Sequence, residues 1–278
     1  NSERNTASLP KEVRTTMLLT IDVGNTNISM GILDEEKIVG RYRLMTQTTR
    51  TSDEYGFFIT TFLNTLQLKA ADITGIIISS VVPKLMYSLT SAVIKYLHQK
   101  PMIVTNEMQM DIKLDTEAPR SIGADRIVNT TYAWNTFHRS CIIVDFGTAT
   151  TYDYIDQNGV FRYVVIQPGL GISLNALTSM TAKLPEIEIV KPKSVLGTNT
   201  IEGMQAGVVY GYIGSVEHII KTMKKELNDP SCMVIATGGL GKIIASETDE
   251  INAYDADIAF KGMKILYDIN KGKDYENL

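Results

Sequence analysis

Two short segments deliver the same residue types to the end of an apolar run: Asp22-Val-Gly-Asn-Thr-Asn27 and Asp145-Phe-Gly-Thr-Ala-Thr150. Each aspartate can hold a cation directly or through its waters. The glycine lets backbone approach a phosphate, and the following hydroxyl or amide can hydrogen-bond a phosphate oxygen. The runs before them, Met17-Leu-Leu-Thr-Ile21 and Cys141-Ile-Ile-Val144, have the length and composition of buried strands. One Asp-x-Gly-x-Thr fits an ordinary hairpin turn. Two copies, each at a strand end, point to phosphate handling from both halves of the chain.

A third constellation, Gly123-Ala-Asp125-Arg126, opens an amphipathic helix expected over 122–137. Two readings stand here. An acidic residue in a first helical turn offsets the macrodipole, and an adjacent arginine can simply be a solvated charge. Alternatively, the carboxylate accepts a hydroxyl proton while the guanidinium and backbone N–H groups bind an anion. Two weaker signals follow. Thr237-Gly-Gly-Leu240 after a strand could let a flat ring or ribose lie against backbone, and Thr198-Asn-Thr200 heads a long helix as an N-cap.

The elements that must position these groups repeat. Ile28–33 and 37–42 read as further strands of a meander, with a capping box at Thr51-Ser-Asp-Glu54 opening a helix to about residue 68. A strand over 75–82, a helix from Pro83 to about 98 and a strand over 102–105 complete the first unit. The pattern then restarts with strands over 141–148, 151–155 and 160–166, the second pair joined through Gln157-Asn-Gly159. A helix after Pro168-Gly169, a helix over 200–227, a strand over 233–236 and a last helix follow. Two similar α/β halves facing each other across a cleft suit a ligand clamped between them. The boundary is expected near residue 130, giving units 17–130 and 131–278. Residues 1–16 are expected to be an N-terminal extension or cloning remnant.

Composition narrows the function classes. At 278 residues with 44% hydrophobic and 21% charged residues, the chain is globular and long enough for two packed units. A net charge of −4 and the absence of a Lys/Arg patch argue against nucleic-acid binding. Cys141 and Cys232 sit in apolar runs as small hydrophobes, and no histidine has ligand spacing to another His or Cys, so neither a disulfide nor a structural zinc is expected. No apolar stretch reaches membrane-spanning length. A cytoplasmic protein is the expectation.

Together the motifs resemble those of the type III pantothenate kinases, within the sugar kinase/actin/Hsp70-like ATPase superfamily. The match runs from Met17 to about Asn270. Besides the segments above it includes Ser79-Ser-Val-Val-Pro83, Gly123-Ala-Asp-Arg-Ile-Val-Asn129, Ala182-Lys-Leu-Pro185, Pro192-Lys-Ser-Val195 and Gly207-Val-Val-Tyr-Gly211. The resemblance implies duplicated ribonuclease-H-like, actin-like ATPase domains, each a mixed five-stranded sheet with helices, with the cleft between the halves. It implies ATP-dependent phosphorylation of pantothenate to 4'-phosphopantothenate, the first step of coenzyme A biosynthesis, by a homodimer. Asp22, Val23, Gly24, Asn25, Thr26, Asn27, Ile28 and Ser29 would form the first phosphate loop for ATP, with Asp22 near Mg2+. Thr148, Gly238 and Gly239 would also meet ATP. Gly123, Ala124, Asp125, Arg126 and Thr200 would hold pantothenate, with Asp125 as the base, and Asp145 would bind a monovalent cation, K+ or NH4+.

The chain departs from the family pattern in three places. Asn106-Glu-Met-Gln-Met-Asp111 replaces a Pro-Gly-x-Lys/Arg-Thr-Gly segment, Thr116 stands where the family carries a pantothenate-contacting tyrosine, and Tyr163-Val164 replaces a Gly-Gly pair. Two other readings therefore accompany the first: a kinase for a different small hydroxylated acceptor, and a catalytically weak member acting as a regulatory binding protein.

Overall fold

A computed structural model describes residues 17–273. The extension expected at 1–16 lies outside the described residues.

The first sheet is built from β1 (Met17–Val23), β2 (Asn27–Asp34), β3 (Lys37–Met45), β4 (Ile73–Ser80) and β5 (Met102–Ile103) in the order β3-β2-β1-β4-β5. The three meander strands are antiparallel, and β4 and β5 run parallel to β1 and to each other. Both sheet faces are covered, which is why β1 reads as a continuous apolar run rather than an alternating one. On one face Leu19, Ile21, Ile28, Met30 and Ile32 pack against α1 (Ser52–Thr65) and α2 (Pro83–Leu97) through Tyr55, Phe62, Leu85, Leu89 and Val93. Local sequence fixes the helix starts. The Thr51 hydroxyl accepts from the Glu54 N–H while the Glu54 carboxylate accepts from the Thr51 N–H. Pro83 occupies the first turn of α2.

The second half repeats the order. β7 (Cys141–Phe146), β8 (Ala149–Ile155) and β9 (Val160–Pro168) form the meander, and β10 (Met233–Thr237) runs parallel to β7. One face carries α5 (Thr200–Glu226) and α6 (Gly241–Ala245), with Ile142, Val144, Tyr152, Val209, Val216, Ile220 and Ile244 in a shared core. α4 (Leu170–Ser179) joins this layer through Leu170. Asn199 caps α5 by accepting from the Glu202 N–H.

Three short or late elements went beyond the sequence expectation. β6 (Lys113–Leu114) pairs with β9, and β11 (Ala253–Tyr254) pairs with β10. The second sheet therefore has six strands, ordered β11-β10-β7-β8-β9-β6, one more than the five expected. A C-terminal helix, α7 (Ile258–Asn270), returns to the first half. Phe260, Met263 and Leu266 pack with Leu18, Leu33 and Ile77 on the sheet face opposite α1 and α2. So β6, placed by sequence order with the first half, extends the second sheet, and α7, placed with the second, covers the first. The reason is apolar area: the open face of β1 and β4 needs a helix, and no segment before residue 123 other than α1 and α2 is long enough to supply one.

Between the sheets lies α3 (Ala124–Phe137). Its Ile127 and Val128 join the core with α7, while Ala133 joins Cys141, Ile143 and Ile155 of the second sheet. The approach of α7 to α3 is close enough that a Cβ on Gly262 would stand 2.2 Å from the Val128 carbonyl oxygen. His98 and His138 both take left-handed conformations at the C-caps of α2 and α3, which accounts for two of the three histidines as helix stops.

Candidate active site

The two sheets present matching strand ends. Asp22 lies one residue before the end of β1, between Ser29 on antiparallel β2 and Ser79 on parallel β4. Asp145 has the same station in the second sheet, between Thr151 on β8 and Thr237 on β10. The first loop is closed by the Gly24 N–H on the Asn27 carbonyl at 2.9 Å, and by the Thr46 hydroxyl on the Gly24 carbonyl at 2.7 Å. Val23 and Ile28 point into the core, so they offer backbone alone to anything in the cleft, while Asn25 and Thr26 are exposed. The loops meet at their tips, where the Thr26 and Thr148 hydroxyls are 2.7 Å apart. Gly238 adopts φ +93° and packs so tightly on the Phe146 backbone that a Cβ would lie 2.6 Å from it. The Tyr254 hydroxyl holds that turn by donating to the Gly238 carbonyl.

The N-terminus of α3 enters between the two strand ends. Gly123 is its N-cap, Ala124 is buried in the core, and Asp125 sits in the first turn with Oδ1 accepting the Arg126 N–H at 2.9 Å. One turn on, Asn129 donates to Asp145 Oδ2 at 3.1 Å. Arg126 reaches the second sheet as well, with Nε 3.8 Å from Oδ1 of Asp153 on β8. Asn129 and Asp153 were not among the residues singled out from sequence. A charged residue inside the otherwise apolar run Tyr152-Asp-Tyr-Ile155 was the available signal.

Other expected residues fall elsewhere. Gly239 lies in the Gly238 turn, with the Arg43 guanidinium as its neighbour at 3.9 Å from a built Cβ. Thr200 lines a separate groove of about 710 Å³ between α4 and α5, together with Gln167, Met204, Gly207 and Tyr212. The 106–111 segment is tied to the end of α7, the Gln109 N–H donating to Asn270 Oδ1 and Asn270 Nδ2 to the Gln109 carbonyl. Tyr163 stacks on Tyr154, on the α5 side of the sheet, and Val164 stands opposite Asp153 in the β8–β9 ladder. The Thr116 hydroxyl is buried with no hydrogen bond.

Electrostatics bind the cluster together. Burial first, then the charges of Asp125 and Asp145, push the Asp22 carboxyl up to about 7. Burial and Asp125 push Asp145 to about 6. Asp153 is raised to about 7, again by burial, with Arg126 opposing. Asp125 is raised by burial, partly offset by the Arg126 backbone N–H and guanidinium. Among the described residues no group of three or more His, Cys, Asp or Glu forms a metal cage. The donor set is nevertheless hard oxygen at two strand ends, which fits a Mg2+ shared with phosphate oxygens and a monovalent cation, rather than a soft metal. Asp22 and Asp145 are the residues that would hold them.

A profile described as Type III pantothenate kinase matches residues 18–222. The chain belongs to the type III pantothenate kinase family. It is 46% identical over 90% of its length to a type III pantothenate kinase of Agathobacter rectalis, covering 96% of that protein. A second type III pantothenate kinase, from Bifidobacterium longum subsp. infantis, is 42% identical over 91% of this chain and 99% of its own. The fold is also that of (R)-2-hydroxyglutaryl-CoA dehydratase component A from Acidaminococcus fermentans, with a TM-score of 0.52 at 15% identity, over 91% of this chain and 98% of that one. This distant likeness shows fold alone. The fold is the two-domain actin-like ATPase type, and the family makes the chain an ATP-using kinase.

The raised carboxylates carry a pH consequence. Their folded values of about 6 and 7 lie above the ordinary 3.8, so the fold disfavours the ionised forms. The penalty is full above about pH 7 and is relieved as pH falls through 7 and 6. Calorimetry on the metal- and nucleotide-free kinase is expected to give a higher Tm near pH 5.5 than near pH 8. Asp22→Asn is expected to flatten that slope. An equal or lower Tm at the acidic value would contradict the burial of these charges.

Proposed function

We propose that this kinase transfers the γ-phosphoryl group of ATP to the primary hydroxyl of pantothenate, giving 4'-phosphopantothenate and ADP as the first step of coenzyme A synthesis. The observation that carries the reading is the N-terminus of α3 entering between two phosphate-type strand ends, with Asp125 and Arg126 in its first turn. The chemistry follows from that placement. The 22–29 loop, Thr148 and the Gly238-Gly239 turn hold ATP by backbone N–H groups and hydroxyls. The Arg126 guanidinium holds the acceptor's carboxylate. Asp125, made more basic than an ordinary carboxylate by burial, accepts the hydroxyl proton as the oxygen–phosphorus bond forms and the bond to the ADP oxygen breaks. Mg2+ at Asp22 and a monovalent cation at Asp145 would supply charge neutralisation for the phosphates, the main demand of phosphoryl transfer.

The Thr116 hydroxyl, buried and unpartnered at the family's tyrosine position, favours a second reading in which a related small hydroxylated acceptor is used. Asp125 in the base position argues against a binding protein without catalysis. The two sequence halves, 17–130 and 131–278, would close over the nucleotide. We also read the enzyme as cytoplasmic: Cys141 and Cys232 are free and buried, and no helix of the described residues can cross a membrane. Fractionation of the native cells, with the kinase found in the membrane or external fraction, would refute that.

Asp125→Asn is expected to lower kcat by about 10²–10⁴-fold in a coupled ADP-release assay with pantothenate, with the fold kept. Rates within a few-fold of wild type would mean that the proton goes elsewhere. Without pantothenate, steady ATP turnover by the wild type should be lost as well; turnover that ignores the acceptor would remove pantothenate from the reading.

Asp145→Ala is expected to weaken activation by K+ specifically. The check is a potassium titration of activity, and an activation curve superimposable on wild type would take Asp145 out of that role.

A homodimer is proposed through the α4–α5 face. Ile166, Ile172, Leu177 and Ile201 are exposed there beside the groove that holds Thr200, and a two-fold pairing would bury this self-complementary patch. Light scattering at micromolar concentration is expected to give the mass of two chains. The mass of one chain would exclude the dimer under those conditions.

A further inference from the structure

We propose that Asp153 is a positioning residue for the acceptor: it holds the Arg126 guanidinium away from Asp125 and leaves its terminal nitrogens open to an anionic group on the acceptor. The inference rests on the kinase reading above and deepens it. Asp153 lies in the middle of β8, opposite Ile143 on β7 and Val164 on β9, on the sheet face turned toward α3. Its side chain is fully buried. Oδ2 accepts the Thr151 hydroxyl at 3.3 Å, while Oδ1 makes no hydrogen bond. The cation beside that oxygen is Arg126, Nε at 3.8 Å.

A buried carboxylate with one bare oxygen is a poor structural element. The neighbours of Asp153 on this face, Ile143 and Ile155, are apolar and buried, so a leucine or isoleucine would suit the sheet better. What the charge does is compete. Arg126 follows Asp125 directly in the first turn of α3, and Asp125 already lowers its own charge density through the Arg126 N–H. Without a second carboxylate, the guanidinium would fold onto Asp125, holding the proposed base ionised and hydrogen-bonded and therefore less able to take a proton. With Asp153 engaging the Nε edge, both terminal nitrogens remain free to bind a carboxylate through the guanidinium fork. The acceptor class this fits is a small alcohol carrying a carboxylate.

The test is steady-state kinetics of the full chain, varying pantothenate at saturating Mg·ATP. Asp153→Asn is expected to raise the KM for pantothenate about 10–100-fold, the loss of one charge-assisted hydrogen bond from the Arg126 guanidinium to the acceptor. The KM for ATP should change less than about three-fold, and Tm should stay level or rise, because a buried charge has gone. Arg126→Lys, which keeps the charge without the fork, should show a similar loss, and the double variant should lose no more than the worse single one. Asp153→Ser carries the same expectation if the Asn variant fails to fold. An unchanged KM for pantothenate overturns the proposal. So does a fall in Tm with both KM values and kcat affected alike, which marks a structural role. A wild type that does not phosphorylate pantothenate overturns the acceptor reading and this inference with it; a normal wild type beside an unaltered Asp153→Asn overturns this inference alone.

Discussion

The burial of four carboxylates at one junction, with repulsion between them as the second cost, is the constraint around which this kinase is organised. Asp22, Asp125, Asp145 and Asp153 come from four different elements, three strands of two sheets and one helix, and each raises or is raised by another. One arginine lies among them. At neutral pH such a group is stable only with protons, cations or strong hydrogen-bond donors between the charges. The fold supplies some of this relief itself, through Asn129 on Asp145 and through the positive end of the α3 dipole at Asp125. The remainder is a standing demand for positive charge at the strand ends of a kinase that uses ATP.

That demand explains why α3 occupies the centre of the molecule. Its N-terminus must reach both strand ends, and its length must be clamped so that it does not retreat from the repulsion. The clamp is double. Ile127 and Val128 are locked under α7, at a glycine-permitted distance, and Ala133 is locked against the second sheet. A helix packed on both sides transmits little slack to its first turn. The exchange of elements between the halves, β6 going one way and α7 the other, adds two further ties across the same junction. The loop tips of the two sheets also touch, through the Thr26 and Thr148 hydroxyls.

Local chemistry was read well from the chain. The capping box of Thr51 with Glu54, the proline at the start of α2 and the apolar runs before Asp22 and Asp145 each act within a few residues, so their consequences are visible in a short window. Asp125 was legible as an acidic residue in a first turn, yet its two readings could not be separated by spacing. The choice depends on what stands opposite the helix end, and that is set by strands far away in sequence. β6 and β11, two residues each, carry no periodicity to detect. The α7 pattern is an ordinary amphipathic helix, and nothing in its own sequence states which sheet it will cover.

Sequence by itself determined the duplicated α/β pattern, the two aspartate–glycine strand ends and the family, because these rest on short-range patterning and on residue identities in order. Tertiary structure decided the pairings: Asn129 with Asp145, Arg126 with Asp153, Thr26 with Thr148, and α7 with the first sheet. The reason is one of range. Hydrogen-bond and charge partners at 3–4 Å are chosen by how helices and sheets pack, and packing is settled by apolar area summed over the whole chain rather than by any residue's neighbours along it. Asp153 shows the difference most plainly. In the sequence it interrupts a strand; in the fold it faces the arginine beside the proposed catalytic base.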